Sequence, residues 1–528
     1  MAAARAPRIV VIGLDLGDGA LIREWAAEGA LPHLHALMAA GAVAELDTTA
    51  RWLHVSAWPT LYTGASPGQH GVYYTFQPAP GLQGYARFGA GQYGTPTFWR
   101  LLADAGVQST VFDAPYTHPE PGSSAAQLFD WGTWAHYWKT ASTPPALLSA
   151  LNRTVGRYPL GLEAHDLGLV ALDATALQPR LIASARTKTS AILWLMQQRP
   201  WDCFVTVYGE THLGGHYCWR PSAGLSDGRP DLEGLKALYQ EIDRGIGRII
   251  ESLPKDTTVF VVSGDSIGPN HSGWHLLPDV LRRLGLLAEP AVNTTADDQG
   301  VDGEPAPRAR PGWDPVRALR DALPKDFRKG LARRLPTALR DRLARRVDTA
   351  GIDWSRTRAF ALPTDLEGCI RINLAGREPL GIVQPGAEYD RLCDEMTMAL
   401  RELVNPDTGE RAVRDVIRTD RQLSGPRSAF LPDLVVLWSA AAPITALQSE
   451  RIGTVSAPSP DGRTGTHTAP GLLIGSGPGM TSGSFPRGAH VRDLAPTILS
   501  LYGIERPAYM DGAMLVSSSF ANQTGDLA

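Results

Sequence analysis

Apolar residues in this chain gather into short unbroken runs. They are Arg8–Leu14 (RIVVIGL), Ser109–Phe112, Asp202–Tyr208 (DCFVTVY), Thr257–Val262 (TTVFVV), Asp433–Leu437 (DLVVL) and Gly471–Ile474. Each is rich in β-branched residues and does not alternate with polar ones, the pattern of a strand covered on both faces of a parallel sheet. Between them the apolar spacing becomes helical, over Leu21–Ala40, Pro96–Ala105, Ser184–Gln198 and Leu232–Leu253. Strand–helix alternation on this scale predicts an α/β fold with a doubly wound, mostly parallel central sheet flanked by helices.

Two stretches break the rhythm. Residues 115–180 are rich in Pro, Trp and His, with the cluster DWGTWAHYW at Asp130–Trp138, and read as a pocket or cap insertion. Residues 288–350 begin as a Pro/Gly/Asp-rich linker and continue as an arginine-rich helical pattern over 315–346. That pattern reads as a solvated insertion, the alternative being a basic helix for an anionic partner or a membrane surface. Arg358–Leu362 and Cys369–Leu374 then predict strands of a smaller inserted second lobe. The expected division assigns 1–114, 181–287 and 433–528 to the core and 351–432 to the smaller lobe.

Composition narrows the function classes. The 528 residues are 43% hydrophobic and 20% charged with a net charge of −4, ordinary for a globular protein and without sign of nucleic-acid or membrane binding. The four cysteines, Cys203, Cys218, Cys369 and Cys393, form no CxxC pair and read as free thiols in a reducing cytoplasm. The N-terminus runs straight into a strand, so no signal peptide is expected, and no stretch is apolar enough to span a bilayer. The abundance of Ala, Gly and Arg fits a GC-rich bacterial gene. Nothing here decides for or against a homo-oligomer.

Ligands in a parallel α/β sheet bind beyond the C-terminal strand ends. Asp15 follows the first run. Glu210, His212 and His216 follow DCFVTVY; Asp265, His271 and His275 follow TTVFVV; His467 precedes GLLIGSG. Five of the thirteen histidines thus fall at three strand ends. His212 and His216, four apart, project from one face if their segment opens a helix, and imidazole with carboxylate suits zinc or a similar divalent ion. The loop His54–Gly71 (HVSAWPTLYTGASPGQHG) carries hydroxyl residues and tight-turn glycines that could bring a nucleophile to an anion; the bland reading packs Trp58 and Tyr62 into the core. Gly89, Gly91 and Gly94 match GxGxxG but follow no strand, which excludes a dinucleotide site. Trp131, Trp134 and Trp138 suit either a substrate wall or core packing.

In order along the chain, VIGLDLGDGALIREWAAEG, TLYTGASPGQHGVYY, TPTFWRLLADAG, CIRINLAGREPLGIV, HTAPGLLIGSGPG and DLAPTILSLYGIERPAYMDG resemble type I phosphodiesterases/nucleotide pyrophosphatases of the alkaline phosphatase superfamily. The resemblance implies two zinc ions. One is held by an Asp, a His four residues on and a C-terminal His. The other is held by the N-terminal Asp, a Thr or Ser nucleophile and an Asp-His pair. Asp15, His216 and His467 match. The Asp of the first site is here His212, the Asp-His pair reads Gly264-Asp265, and the nucleophile position is His54, with Ser56 and Thr60 nearby.

The expected metal ligands are therefore His212, His216 and His467 for one ion, and Asp15 and Asp265 for a weaker second, with His54 as a further candidate and His271 or His275 in place of the missing histidine. His54, Ser56 and Asp265 are the candidate catalytic residues, and water is an alternative attacking group. Arg51, Thr60 and Trp134 are candidate substrate contacts, with Arg371 and Asn373 as further anion-holding guesses. The resemblance implies a metal-dependent hydrolase or transferase for a small anionic phosphate, phosphonate or sulfate ester. Two alternatives remain: a single-zinc enzyme repurposed in a biosynthetic pathway, and a non-catalytic anion- or partner-binding descendant.

Overall fold

The computed structural model describes residues 7–516, apart from 80, 89–92, 119, 121, 133–139, 161–173, 221–229, 291–350, 365, 461, 479 and 481–482. Trp134 and the basic stretch 315–346 lie outside the described residues.

Among the described residues, nine strands form the central sheet: β1 (Arg8–Leu14), β2 (Ala42–Leu46), β3 (Ser109–Phe112), β4 (Ala126–Phe129), β5 (Ala141–Thr143), β6 (Cys203–Tyr208), β7 (Thr257–Ser263), β8 (Gly471–Ser476) and β9 (Gly483–Ser484). Their order is β9-β2-β8-β7-β1-β6-β3-β4-β5. The five neighbours β7-β1-β6-β3-β4 are parallel throughout. Alternation splits each inner strand between two cores. Val10, Ile12 and Leu14 of β1 face one cluster with Phe204 and Tyr208, while Ile9 and Val11 face the other with Val205 and Val207. Both faces being apolar is why these runs show no polar alternation.

Two strands depart from the sequence expectation. Gly471–Ser476 lies in the sheet but runs antiparallel to both β7 and β2. Leu434–Trp438 belongs to the smaller sheet, in the order Ala359–Ala361, Gly368–Ile372, Leu434–Trp438, Val413–Arg418, antiparallel throughout. An apolar run encodes burial on two faces, and neither strand direction nor sheet membership follows from it. The helix expected over Leu21–Ala40 is two, α1 (Gly19–Ala27) and α2 (Pro32–Ala40). Gly29 between them adopts φ +81°, which ends the first helix, and Pro32 opens the second.

Beneath the site lies a buried cation. Lys188, on α3 (Ala174–Gln198), has no exposed surface and reaches Asp113 Oδ2 at 3.0 Å, the Gly132 carbonyl at 2.9 Å and the Val207 carbonyl at 3.0 Å. Asp113 also accepts the Trp131 and Gly132 amides at 2.8 Å each. This network ties the C-terminal ends of β3 and β6 to the turn after β4, and so braces the strand end from which His212 and His216 follow.

Candidate metal centre

His212 and His216 sit on α4 (Glu210–Cys218), which starts two residues after β6, as the i, i+4 spacing requires for one face. Gly214 and Gly215 let this helix lie close to its neighbours: a Cβ at Gly215 would come within 2.5 Å of Leu16 and 2.8 Å of Ile267. His467 arrives on Gly465–Thr468, paired antiparallel with Ser266–Pro269. A Cβ at Gly465 would sit 2.1 Å from the Gly215 carbonyl oxygen, so glycine there permits the hairpin to rest on α4. The Thr464 amide donates to the His216 carbonyl at 2.8 Å and completes the seam.

One ring nitrogen each from His212, His216 and His467 lies within 4.8 Å of the others. The orientation of two rings is fixed from behind. His216 Nδ1 contacts the Gly465 carbonyl at 2.8 Å, and a carbonyl only accepts, so the proton sits on Nδ1 and the lone pair on Nε2. His467 Nδ1 contacts Asp265 Oδ2 at 2.5 Å. The Nε2 atoms of His216 and His467 are buried without a hydrogen-bond partner among the described residues. Orphaned imidazole nitrogens converging in a buried pocket fit a divalent ion with nitrogen preference.

Burial holds the His216 and His467 rings well below the usual imidazole value, helped by their histidine neighbours. It lowers His212 too, although Asp15, 3.2 Å from His212 Nδ1, pulls the other way. These rings are therefore neutral, the form that ligates. Burial, reinforced by the Asp15 charge, pushes the Asp265 carboxyl well above the carboxylate range. A cation at the imidazoles would reverse that push and favour the ionised form.

Both oxygens of Asp265 are engaged, whereas Asp15 Oδ2 is buried without a hydrogen-bond partner among the described residues. Asp15 Oδ1 accepts the Trp58 indole N–H at 2.6 Å, and Asp265 Oδ1 accepts the Leu16 amide at 3.0 Å. His54 lies beside the cluster with its ring stacked on His467, centroids 4.3 Å apart at 29°. Its Nδ1 contacts Glu367 Oε1 and Oε2 at 2.7 and 2.8 Å, and its amide donates to Oε1 at 2.8 Å.

Other sequence candidates sit elsewhere. His271 Nδ1 contacts the Ala440 carbonyl at 2.7 Å, and His275 Nε2 the Ala457 carbonyl at 3.0 Å; neither joins the cluster. Ser56 and Thr60 are fully buried, Thr60 Oγ1 lying 3.0 Å from His70 Nε2 and 3.5 Å from Ser56 Oγ. His70 Nδ1 accepts the Val72 amide, and burial lowers this ring to about 3. Arg51 is exposed and pairs with Asp47 at 2.9 Å. Arg371 is buried against Glu378 and the Leu431 carbonyl, and Asn373 donates to the Trp354, Thr357 and Leu380 carbonyls. Both brace the smaller lobe. Sequence reasoning missed Glu367, which has no local motif, and Arg463, whose charge acts on all three cluster histidines and which lies four residues before His467.

The family model of type I phosphodiesterase/nucleotide pyrophosphatase matches residues 9–452. No curated protein matches the chain. Among solved structures, phosphonoacetate hydrolase from Sinorhizobium meliloti, in complex with phosphonoformate, aligns with a TM-score of 0.50 at 13% identity, over 94% of this chain and 96% of that one. A mutant of alkaline phosphatase PafA aligns with a TM-score of 0.51 at 12% identity, over 98% of this chain and 100% of that one. Likeness at such identities speaks to the fold: an alkaline-phosphatase-like α/β sheet with an inserted lobe. Among the described residues, no helix is long and apolar enough to cross a membrane.

Proposed function

Because the chain belongs to the type I phosphodiesterase/nucleotide pyrophosphatase family, we propose that it is a metal-dependent hydrolase of a small phosphate, phosphonate or sulfate ester. The observation that carries this reading is the convergence of His212 and His216 from α4 with His467 from the Gly465–Thr468 strand, two buried nitrogens having no hydrogen-bond partner among the described residues. Those three residues would hold one divalent ion, zinc by donor chemistry. When bound, such an ion supplies Lewis-acid polarisation of an ester oxygen.

The chain's own groups do the rest. Asp265 and the Gly465 carbonyl fix ring tautomers, as partners behind metal-binding histidines do. Arg463 brings a positive charge beside the cluster and is the candidate holder of the substrate anion. Burial of the histidines limits water at the reacting centre and strengthens every charge interaction there.

The carboxylates bear on whether one ion or two is held. Both oxygens of Asp265 are tied, to Leu16 and His467, and Asp15 Oδ1 to Trp58, which leaves Asp15 Oδ2 alone of these four oxygens without a hydrogen bond among the described residues and favours one ion over two. This also supports a second reading, a single-metal enzyme repurposed for group transfer in a biosynthetic pathway.

The test is metal content per chain together with hydrolysis of bis(p-nitrophenyl) phosphate, p-nitrophenyl phenylphosphonate and p-nitrophenyl sulfate. About one ion with turnover of at least one ester supports the first reading. One ion without ester turnover moves the case to the second. No ion after reconstitution with zinc overturns both.

A further inference from the structure

The end of the sheet opposite the histidine cluster holds a cleft of about 230 Å³. Arg8 opens β1 there, whereas Asp15 follows the same strand at its other end. The cleft lies between Arg8, the run into β6 at Trp201, and the C-terminal ends of α3 and α5 (Glu233–Ser252). Leu193, Met196 and Leu253 give it apolar walls, and Arg8 and Arg199 are the charged residues that line it. Neither arginine has an ion pair or side-chain hydrogen bond among the described residues. Arg8 is half-buried, and its Nε is sealed from solvent without a partner. Its guanidinium carbon sits 5.8 Å from the centroid of the Trp201 ring, which is fixed by an indole N–H donated to the Met196 carbonyl at 3.2 Å. A sealed, unpaired donor costs more than a cation–π contact returns, so an anion here would be stabilising. Residues 1–6 bring Arg5 as their one charged side chain, so the preceding segment supplies no counter-charge. The two helix C-termini contribute about half a negative charge each, against two full positive ones, which leaves the cleft net positive.

We propose that this cleft binds a small aromatic carboxylate, with its carboxylate on the Arg8 and Arg199 guanidiniums and its ring against Trp201 and the apolar walls. The planar fork of a guanidinium matches a carboxylate in two parallel hydrogen bonds. The apolar walls select a ring over a bare inorganic anion, which would leave them unused. Size sets the upper limit. The volume is that of about eight waters, below the about 300 Å³ at which sites for drug-sized ligands begin. A single-ring acid fits, and a nucleotide does not. The site is thus separate from the histidine cluster, at the far end of the strand that leads to Asp15.

The experiment is calorimetric titration of the full chain with sodium benzoate after chelation, which keeps the carboxylate from binding a metal at the histidine cluster. The expected result is one saturable site per chain with a Kd below about 10 mM. Arg8→Gln should weaken it at least about 10-fold. Arg199→Gln should weaken it about 3- to 10-fold; this residue is exposed, so its variant decides the case even where Arg8→Gln fails to fold. Benzamide, which has the same shape without the charge, should bind at least about 10-fold more weakly than benzoate. Absence of saturable benzoate binding, unchanged affinity in either folded variant, or binding of benzamide or inorganic phosphate as tight as that of benzoate each overturns the proposal. The hydrolase reading stands apart from all of these outcomes, since none of them involves the histidine cluster.

Discussion

Asp265 Oδ2 lies 2.5 Å from His467 Nδ1, so the carboxylate that the family resemblance marks as a ligand stands behind a candidate ligand. A carboxylate in that position sets the ring's orientation and raises its basicity.

Asp265→Asn should therefore weaken metal binding without abolishing it. The expected loss is about 10- to 100-fold in affinity, read by competition with a chromogenic chelator. An unchanged affinity would remove Asp265 from the site.

The double variant His212→Ala with His216→Ala should retain no tightly bound divalent ion, whereas the wild type should hold about one. Elemental analysis of protein purified without chelator reads this directly. Thermal unfolding of the metal-loaded wild type should shift upward relative to the chelated protein, and the variant should show no such shift.

Gly465→Ala tests the seam between the hairpin and the helix. The added Cβ would meet the Gly215 carbonyl at 2.1 Å, backbone that cannot step aside cheaply. A loss of about 1–3 kcal/mol in denaturant unfolding is expected, accompanied by lower metal occupancy because His216 and His467 would be pushed apart.

Lys188→Met should cost about 3–5 kcal/mol, since it strands the buried Asp113 carboxylate. Lys188→Met combined with Asp113→Asn should recover part of that loss. Urea unfolding of the three variants would show the coupling.

Glu120 gives a pH signature away from the metal. Burial pushes its carboxyl up from 4.5 to about 7, against the Thr97 hydroxyl that donates to it at 2.7 Å. Between those values the unfolded chain releases a proton that the folded chain keeps, so stability falls as pH rises. The Glu120 contribution is complete below about pH 4 and gone above its folded value. Glu120→Gln should hence be more stable than wild type at pH 8 and close to it at pH 4, by urea unfolding at both.

Much of the architecture was written locally. The runs at Arg8–Leu14, Ser109–Phe112, Asp202–Tyr208 and Thr257–Val262 became inner strands within a residue at each end, because continuous apolar β-branched runs have few other uses. The i, i+4 spacing of His212 and His216 likewise needs only a helix. What stayed hidden depends on distant pairing. Glu367 meets His54 across 313 residues, and nothing in the turn that bears it differs from an ordinary acidic loop. The antiparallel setting of Gly471–Ser476 depends on its pairing with Ala42–Leu46 and Thr257–Ser263, both more than two hundred residues away. Arg371 and Asn373 looked like anion holders because arginine and asparagine often are; their partners are carbonyls and a carboxylate inside the smaller lobe.

The order in which the centre is assembled carries a consequence for biosynthesis. His212 and His216 leave the ribosome about 250 residues before the Gly465 hairpin that delivers His467, and β8, which that hairpin feeds, inserts between β7 and β2. A nascent chain can expose two imidazoles on α4 over nearly half of its translation yet hold no three-nitrogen cluster. A chain cut before His467 lacks the third nitrogen of the cluster, so a two-histidine fragment and the full trio should differ in their affinity for a divalent ion.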